Sequence, residues 1–157
     1  LTLQNILTAY SGDFGSGKYT GNLARLTMAS AYSSEQIEKY EQYVELPNRF
    51  RHASKPALDI AYLTALHIHQ ISSVPYENLI LHYSISHAVS LDPQIIFKKI
   101  VTDARGRGGY CMENSIFFNH VLRALGFQAY TAGVRIRPRI GGVPGGNYIG
   151  WCVFSGR

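Results

Sequence analysis

The chain has 157 residues, enough for one domain or a little more. Hydrophobic residues make up 46% and charged residues 16%, a balance that excludes a disordered chain. The formal charge is +5, but no long Lys/Arg run argues for nucleic acid, and no apolar run approaches the ~18 residues of a membrane span.

The two cysteines, Cys111 and Cys152, are too few for a disulfide framework. Residues 1–9 carry no basic segment of the kind that opens a secretion signal, so a cytoplasmic setting is expected. The chain begins with Leu rather than Met, which suggests a fragment or an imperfect gene translation. Residues 1–27 show no clear period and are read as a flexible leader outside the folded unit. Within them, Gly12, Gly15, Gly17 and Lys18 carry P-loop-like spacing. Tyr19, however, stands where a Ser or Thr hydroxyl would meet Mg²⁺.

From residue 28 the pattern becomes helical. Ser33 and Gln36 fit a capping box, Ile37, Tyr40 and Val44 recur at helical spacing, and Pro47 ends the run. A second helix is expected from about Pro56. With Leu58, Tyr62 and Leu66 it is apolar nearly all round, hence buried. A third has Asp92 as N-cap and Pro93 at its first position. Ile96, Phe97 and Ile100 form its inner face, while Lys98 and Lys99 suit the dipole at its C-terminus. A fourth spans 111–125, with Gly126 as its stop. The period then changes to two. Val134, Ile136 and Ile140 alternate with Arg135, Arg137 and Arg139, which predicts a strand with one basic face, read as solvated, with contact to the phosphates of a ligand as the alternative. A glycine-rich loop follows, and a second strand is expected within 148–154.

The chemistry concentrates in Arg105-Gly106-Arg107-Gly108-Gly109-Tyr110-Cys111-Met112-Glu113-Asn114. Glycines permit tight turns and the close approach of a ligand. Free N–H groups and the dipole at a helix start favour a thiolate at Cys111, and Arg107 adds positive charge. The same N–H groups suit a developing oxyanion, so the pattern points to a nucleophile that carries an acyl group. The competing reading is a small buried hydrophobe. Such a nucleophile wants a histidine base and a third group to orient it. His120 lies nine residues along the same helix, roughly 13 Å away, too far to serve. His67 and His69 point to different helix faces and make a poor metal pair, and His52, His82 and His87 have no supporting context.

The run from Arg107 to Glu113 resembles the active-site signature of the arylamine N-acetyltransferases. Val74-Pro75-Tyr76-Glu77-Asn78-Leu79 is similar to a second motif of that family, in the right order and spacing. Tyr32-Ser33 and Glu35-Gln36-Ile37 resemble the opening of fungal members, and the resemblance covers residues 28–151. It implies an α+β, papain-like architecture: a helical bundle, a β-barrel domain and a lid. The bundle is expected over 28–127 and an incomplete start of the β-domain over 128–157. The resemblance also implies a ping-pong reaction. Acetyl-CoA, the acyl donor, acetylates the cysteine, and an arylamine, hydrazine or similar amine takes the acetyl group. On this basis Cys111 is the nucleophile. Arg107, Gly108 and Gly109 shape its approach, and Tyr76, Glu77 and Asn78 support the site, with a turn or helix cap as the alternative for Glu77 and Asn78. No metal, nucleic-acid or membrane partner is expected.

The match departs from the family at two places. Ser115 stands where an Asn is usual, with Asn114 just before it. A Gly-Trp pair like Gly150-Trp151 is followed closely in the family by the triad histidine, but Val153 stands there, and no aspartate follows. The expectation is a chain with little acetyl transfer of its own, its ends set by unremoved intron or a misdrawn gene boundary. A non-catalytic binding remnant and another papain-like thiol enzyme stay open as alternatives.

Overall fold

The computed structural model describes residues 29–134 and 150–156. The predicted leader with its P-loop-like glycines lies outside them, as do Arg135, Arg137 and Arg139.

Helix α1 spans Ser34–Tyr43 and starts as its sequence requires. The Ser33 hydroxyl accepts from the Gln36 N–H at 3.3 Å, and the Gln36 side chain accepts from the Ser33 N–H at 3.0 Å. Its end is set before Pro47. The Leu46 N–H reaches the Glu41 carbonyl and the Glu45 N–H reaches that of Gln42, a Schellman stop. It forces Glu45 to a φ of 53°, a conformation that glycine adopts without cost. Two short 3₁₀ turns, Asn48–Phe50 and His52–Ser54, follow.

Helix α2, Ile60–Ser73, begins four residues later than Pro56. The Asp59 carboxylate accepts from the Tyr62 N–H at 2.9 Å and so fixes the first turn. The expectation that this helix is buried all round is corrected. Tyr62, Leu66 and Gln70 are buried, whereas Ile60, Ile68 and Ile71 are each more than half exposed. A run of apolar residues does not tell how many sides of a helix have neighbours. Helix α3, Leu79–Tyr83, is a single turn.

Helix α4, Pro93–Phe97, has the predicted Asp92 cap and Pro93 start, then widens into a π turn over Lys98–Thr102. Ile96, Phe97 and Ile100 are buried, as their spacing predicts. Helix α5, Cys111–Ala124, ends in a second Schellman stop. Gly126, at φ 98°, donates to Arg123 and Phe127 donates to Leu122. On α5, Glu113, Phe117 and Val121 form a buried stripe at intervals of four. Phe117 meets Tyr32, Tyr40 and Phe97 at centroid distances of 5.8, 5.7 and 6.1 Å. Burying one such ring contributes about 2–3 kcal/mol. This packing fixes the rotation of α5 and therefore the direction of its first residue, Cys111.

Strands β1, Gln128–Val134, and β2, Gly150–Gly156, pair antiparallel from Gln128 opposite Gly156 to Val134 opposite Gly150, and lie against α5. β1 thus begins ahead of the predicted basic stretch, and β2 overlaps the predicted second strand. At the other end of α5, the backbone at 30–31 is strapped down. The Ser30 hydroxyl donates to the His120 carbonyl at 2.7 Å, and the Ala31 N–H donates to His120 Nδ1 at 3.0 Å.

Candidate active site around Cys111

Two chain segments cross in front of α5. Tyr76 and Gly109 form a parallel β-bridge. The Gly109 N–H donates to the Pro75 carbonyl at 3.3 Å, and the Glu77 N–H donates to the Gly109 carbonyl at 3.0 Å. The crossing explains the glycines. A Cβ on Gly108 would lie 1.8 Å from the Pro75 carbonyl oxygen, and one on Gly109 would lie 2.7 Å from Glu113 Cβ. At Gly108 and Gly109 the close approach that glycine permits is made by Pro75 and Glu113 of the chain itself. Gly106 supplies the turn into the crossing at φ 64°.

Beyond the crossing, Cys111 is the first residue of α5, half-buried, with its thiol free of any disulfide. Glu113 caps this helix start: its Oε2 accepts the Tyr110 N–H at 3.2 Å. Asn114 reaches back with Nδ2 to the Gly109 carbonyl at 2.8 Å, which thereby serves both the crossing and the helix. The Tyr110 hydroxyl donates to Met112 Sδ at 3.0 Å. Burial, then the neighbouring Cys111, Glu113 and Tyr76, push the Tyr110 phenol up, so it stays a neutral donor at physiological pH.

Charge beneath the helix start is balanced in pairs. Arg107 donates from Nε and Nη2 to Glu77 Oε1 at 3.0 and 2.9 Å. Lys99 Nζ lies 2.5 Å from Glu113 Oε1 and 3.8 Å from Glu77 Oε1. Burial works against the Glu77 carboxylate. The Leu79 N–H at 2.6 Å, Arg107 and Lys99 outweigh it and hold Glu77 below the usual carboxylate range. The Arg107 guanidinium, expected to add positive charge near Cys111, is engaged by Glu77. Glu77 thus caps the turn at Leu79 and pairs with Arg107. Asn78 starts α3 without a side-chain cap, and Tyr76 is 71% exposed at the rim.

Sequence reasoning gave Lys99 no place beside this helix start, and it placed Glu113 and Asn114 in the motif run without assigning their contacts. The Glu113 position was visible as the third residue of the helix, a capping-box place, whereas nothing local marked Lys99. The described histidines all work elsewhere. His52 Nδ1 meets the buried Glu41 carboxylate at 2.9 Å, a context the sequence did not reveal. His69 and His87 donate from Nδ1 to the carbonyls of Val44 and Leu81. His67 and His82 lie against the rings of Phe118 and Tyr83. His120 accepts from Ala31, and burial followed by Arg123 lowers its pKa, which keeps it neutral in that role.

The described site is a helical unit that presents Cys111 at a helix start, behind two crossing segments. Comparison with known proteins gives the family. The family model described as N-acetyltransferase matches residues 59–141. An N-malonyltransferase of Fusarium pseudograminearum is 37% identical over 116 residues, covering 67% of this chain and 33% of that protein. An N-malonyltransferase of Gibberella moniliformis is 33% identical over 137 residues, 76% of this chain and 39% of that protein. Rabbit (Oryctolagus cuniculus) arylamine N-acetyltransferase 1 is 35% identical over 97 residues, 62% and 30% respectively. The arylamine N-acetyltransferase of Mycobacterium abscessus shares the fold, with a TM-score of 0.64 at 20% identity over 78% of this chain and 39% of that one. The chain belongs to the arylamine N-acetyltransferase family. It spans between 30% and 39% of the length of these three curated relatives. Among the described residues, no helix is long and apolar enough to cross a membrane.

Proposed function

We propose that this chain carries the nucleophile of an acyltransferase that moves an acyl group from acyl-CoA through Cys111 to an amine. The observation that carries the reading is the place of Cys111: first residue of α5, behind a crossing that only glycine permits. In this reading the Cys111 thiolate attacks the thioester carbonyl, the bond to CoA sulfur breaks, and CoA leaves as a thiolate that takes up a proton. An arylamine or hydrazine nitrogen then attacks the new thioester. An amide forms, the amine gives up a proton, and the Cys111 thiolate is released. Acetyl-CoA is the donor that the family supports. Malonyl-CoA is the second candidate, favoured by the 37% identity to an N-malonyltransferase. A cytoplasmic, reducing setting suits the free thiol.

None of the described histidines bonds to Cys111, so slow acylation and weak turnover are expected of this chain by itself. The test incubates it with acetyl-CoA or malonyl-CoA and follows Cys111 by peptide mass spectrometry, then adds an arylamine. Acylation at Cys111 that the amine discharges is the expected result. No adduct at Cys111 with either donor, from a folded chain, would overturn the reading.

A further inference from the structure

We propose that Lys99 is a positioning residue for Cys111, one that keeps the ground beneath the helix start electrically neutral. The inference rests on the reading of Cys111 as the acyl-accepting thiol and adds a residue to that site. Four charged side chains meet there: Glu77 and Glu113 as carboxylates, Arg107 and Lys99 as cations. Among the described residues, Arg107 bonds to Glu77 alone. Lys99 is the group that reaches both carboxylates, and it is the partner of Glu113, whose side chain is 3% exposed.

Glu113 is tied to the nucleophile by the backbone. Its carboxylate caps Tyr110, and it stands two residues after Cys111 in the first turn of α5. A carboxylate in this first turn stabilises the helix through its dipole, yet its negative charge offsets the positive helix end that would favour a thiolate at Cys111. Lys99 resolves the conflict by neutralising the carboxylate while leaving its second oxygen on the Tyr110 N–H. The fold is adapted to this use. Lys98 and Lys99 occupy the π turn Lys98–Thr102 and go separate ways. Lys98, 71% exposed, pairs with Asp103 at the surface, whereas Lys99 is 15% exposed and turned to the site. Widened turns of this kind recur where a helix must redirect a functional side chain.

The experiment measures alkylation of Cys111 by iodoacetamide at neutral pH in the full chain. Peptide mass spectrometry separates Cys111 from Cys152, and each variant's melting temperature is recorded. Lys99→Met is expected to slow alkylation about tenfold, the effect of one uncompensated charge near a thiol. Lys99→Arg should restore the rate to within about threefold of the parent chain. Lys99→Met with Glu113→Gln should also restore it, because the side-chain amide oxygen still accepts the Tyr110 N–H while the surplus charge is gone. Should Lys99→Met fail to fold, Glu113→Gln alone keeps the test open, with alkylation faster than in the parent. A Lys99→Met chain as fast as the parent, a double variant as slow as Lys99→Met, or a Glu113→Gln chain no faster than the parent would overturn the proposal. Acyl transfer is measured separately. Its absence alongside these alkylation rates removes the functional reading and leaves the local effect of Lys99 intact.

Discussion

Replacing Gly108 by alanine tests the crossing in front of Cys111. The new methyl would sit 1.8 Å from the Pro75 carbonyl oxygen and 2.8 Å from the carbonyl carbon, so backbone rather than a flexible side chain must yield. Separating the segments breaks the Gly109–Pro75 and Glu77–Gly109 hydrogen bonds, worth about 1 kcal/mol each. Overpacking adds about 1–3 kcal/mol, and the smaller freedom of the unfolded alanine chain returns about 0.5 kcal/mol. The net loss is about 3 kcal/mol, a fall in melting temperature of roughly 10 °C for a domain of this size. Thermal melting by circular dichroism reads it. Gly106→Ala is the control. It meets nothing within 4 Å and pays only for its φ of 64°, about 1 kcal/mol. If Gly108→Ala melts with or above Gly106→Ala, the crossing is not what requires glycine.

Three further outcomes are expected. The Glu77 carboxyl is held low, so its contribution to stability is complete above its unfolded value of about 4.3 and is lost as pH falls through the lower folded value. Glu77→Gln should therefore be less stable than the parent at pH 7, with the difference shrinking in acid; a gap constant with pH in urea titrations would contradict this. His52→Ala leaves the buried Glu41 carboxylate with the backbone N–H of residue 52 but without the imidazole, at a cost of about 2–3 kcal/mol in urea unfolding. An unchanged midpoint would show that Glu41 does not need the imidazole. Glu45→Gly relieves the left-handed backbone at the end of α1 and should gain about 0.5 kcal/mol, read as a small rise in melting temperature. A fall would mean that the Glu45 side chain matters more than its φ.

What could be read from the sequence was local. The Ser33–Gln36 box, the Asp92–Pro93 start and the Gly126 stop each involve residues within five positions, and all three are found where their spacing puts them. Local competition also explains a miss. Pro56 is a good helix opener, but the Asp59 side chain bonds to the Tyr62 N–H and starts α2 later. What could not be read was contact at a distance. Lys99 looked like a dipole-matching lysine because its partners lie 14 and 22 positions away, in segments that meet only after folding. The glycines at 108 and 109 were legible as a close approach, but not as the approach of Pro75 and Glu113. The family resemblance supplied Cys111 with its motif partners. Their geometry, and the pairing of Arg107 with Glu77, came from the fold.

The crossing also closes a ring. Residues 77 and 107 are pinned together, and the exposed stretch 85–88 lies on the loop between them, away from the buried α4 contacts. A loop fastened at both ends tolerates added length cheaply, since each doubling costs about 0.6 kcal/mol of closure entropy. Segment 85–88 is therefore a natural insertion point, where a reporter peptide or an affinity tag can be spliced without moving the cysteine that the ring holds in place.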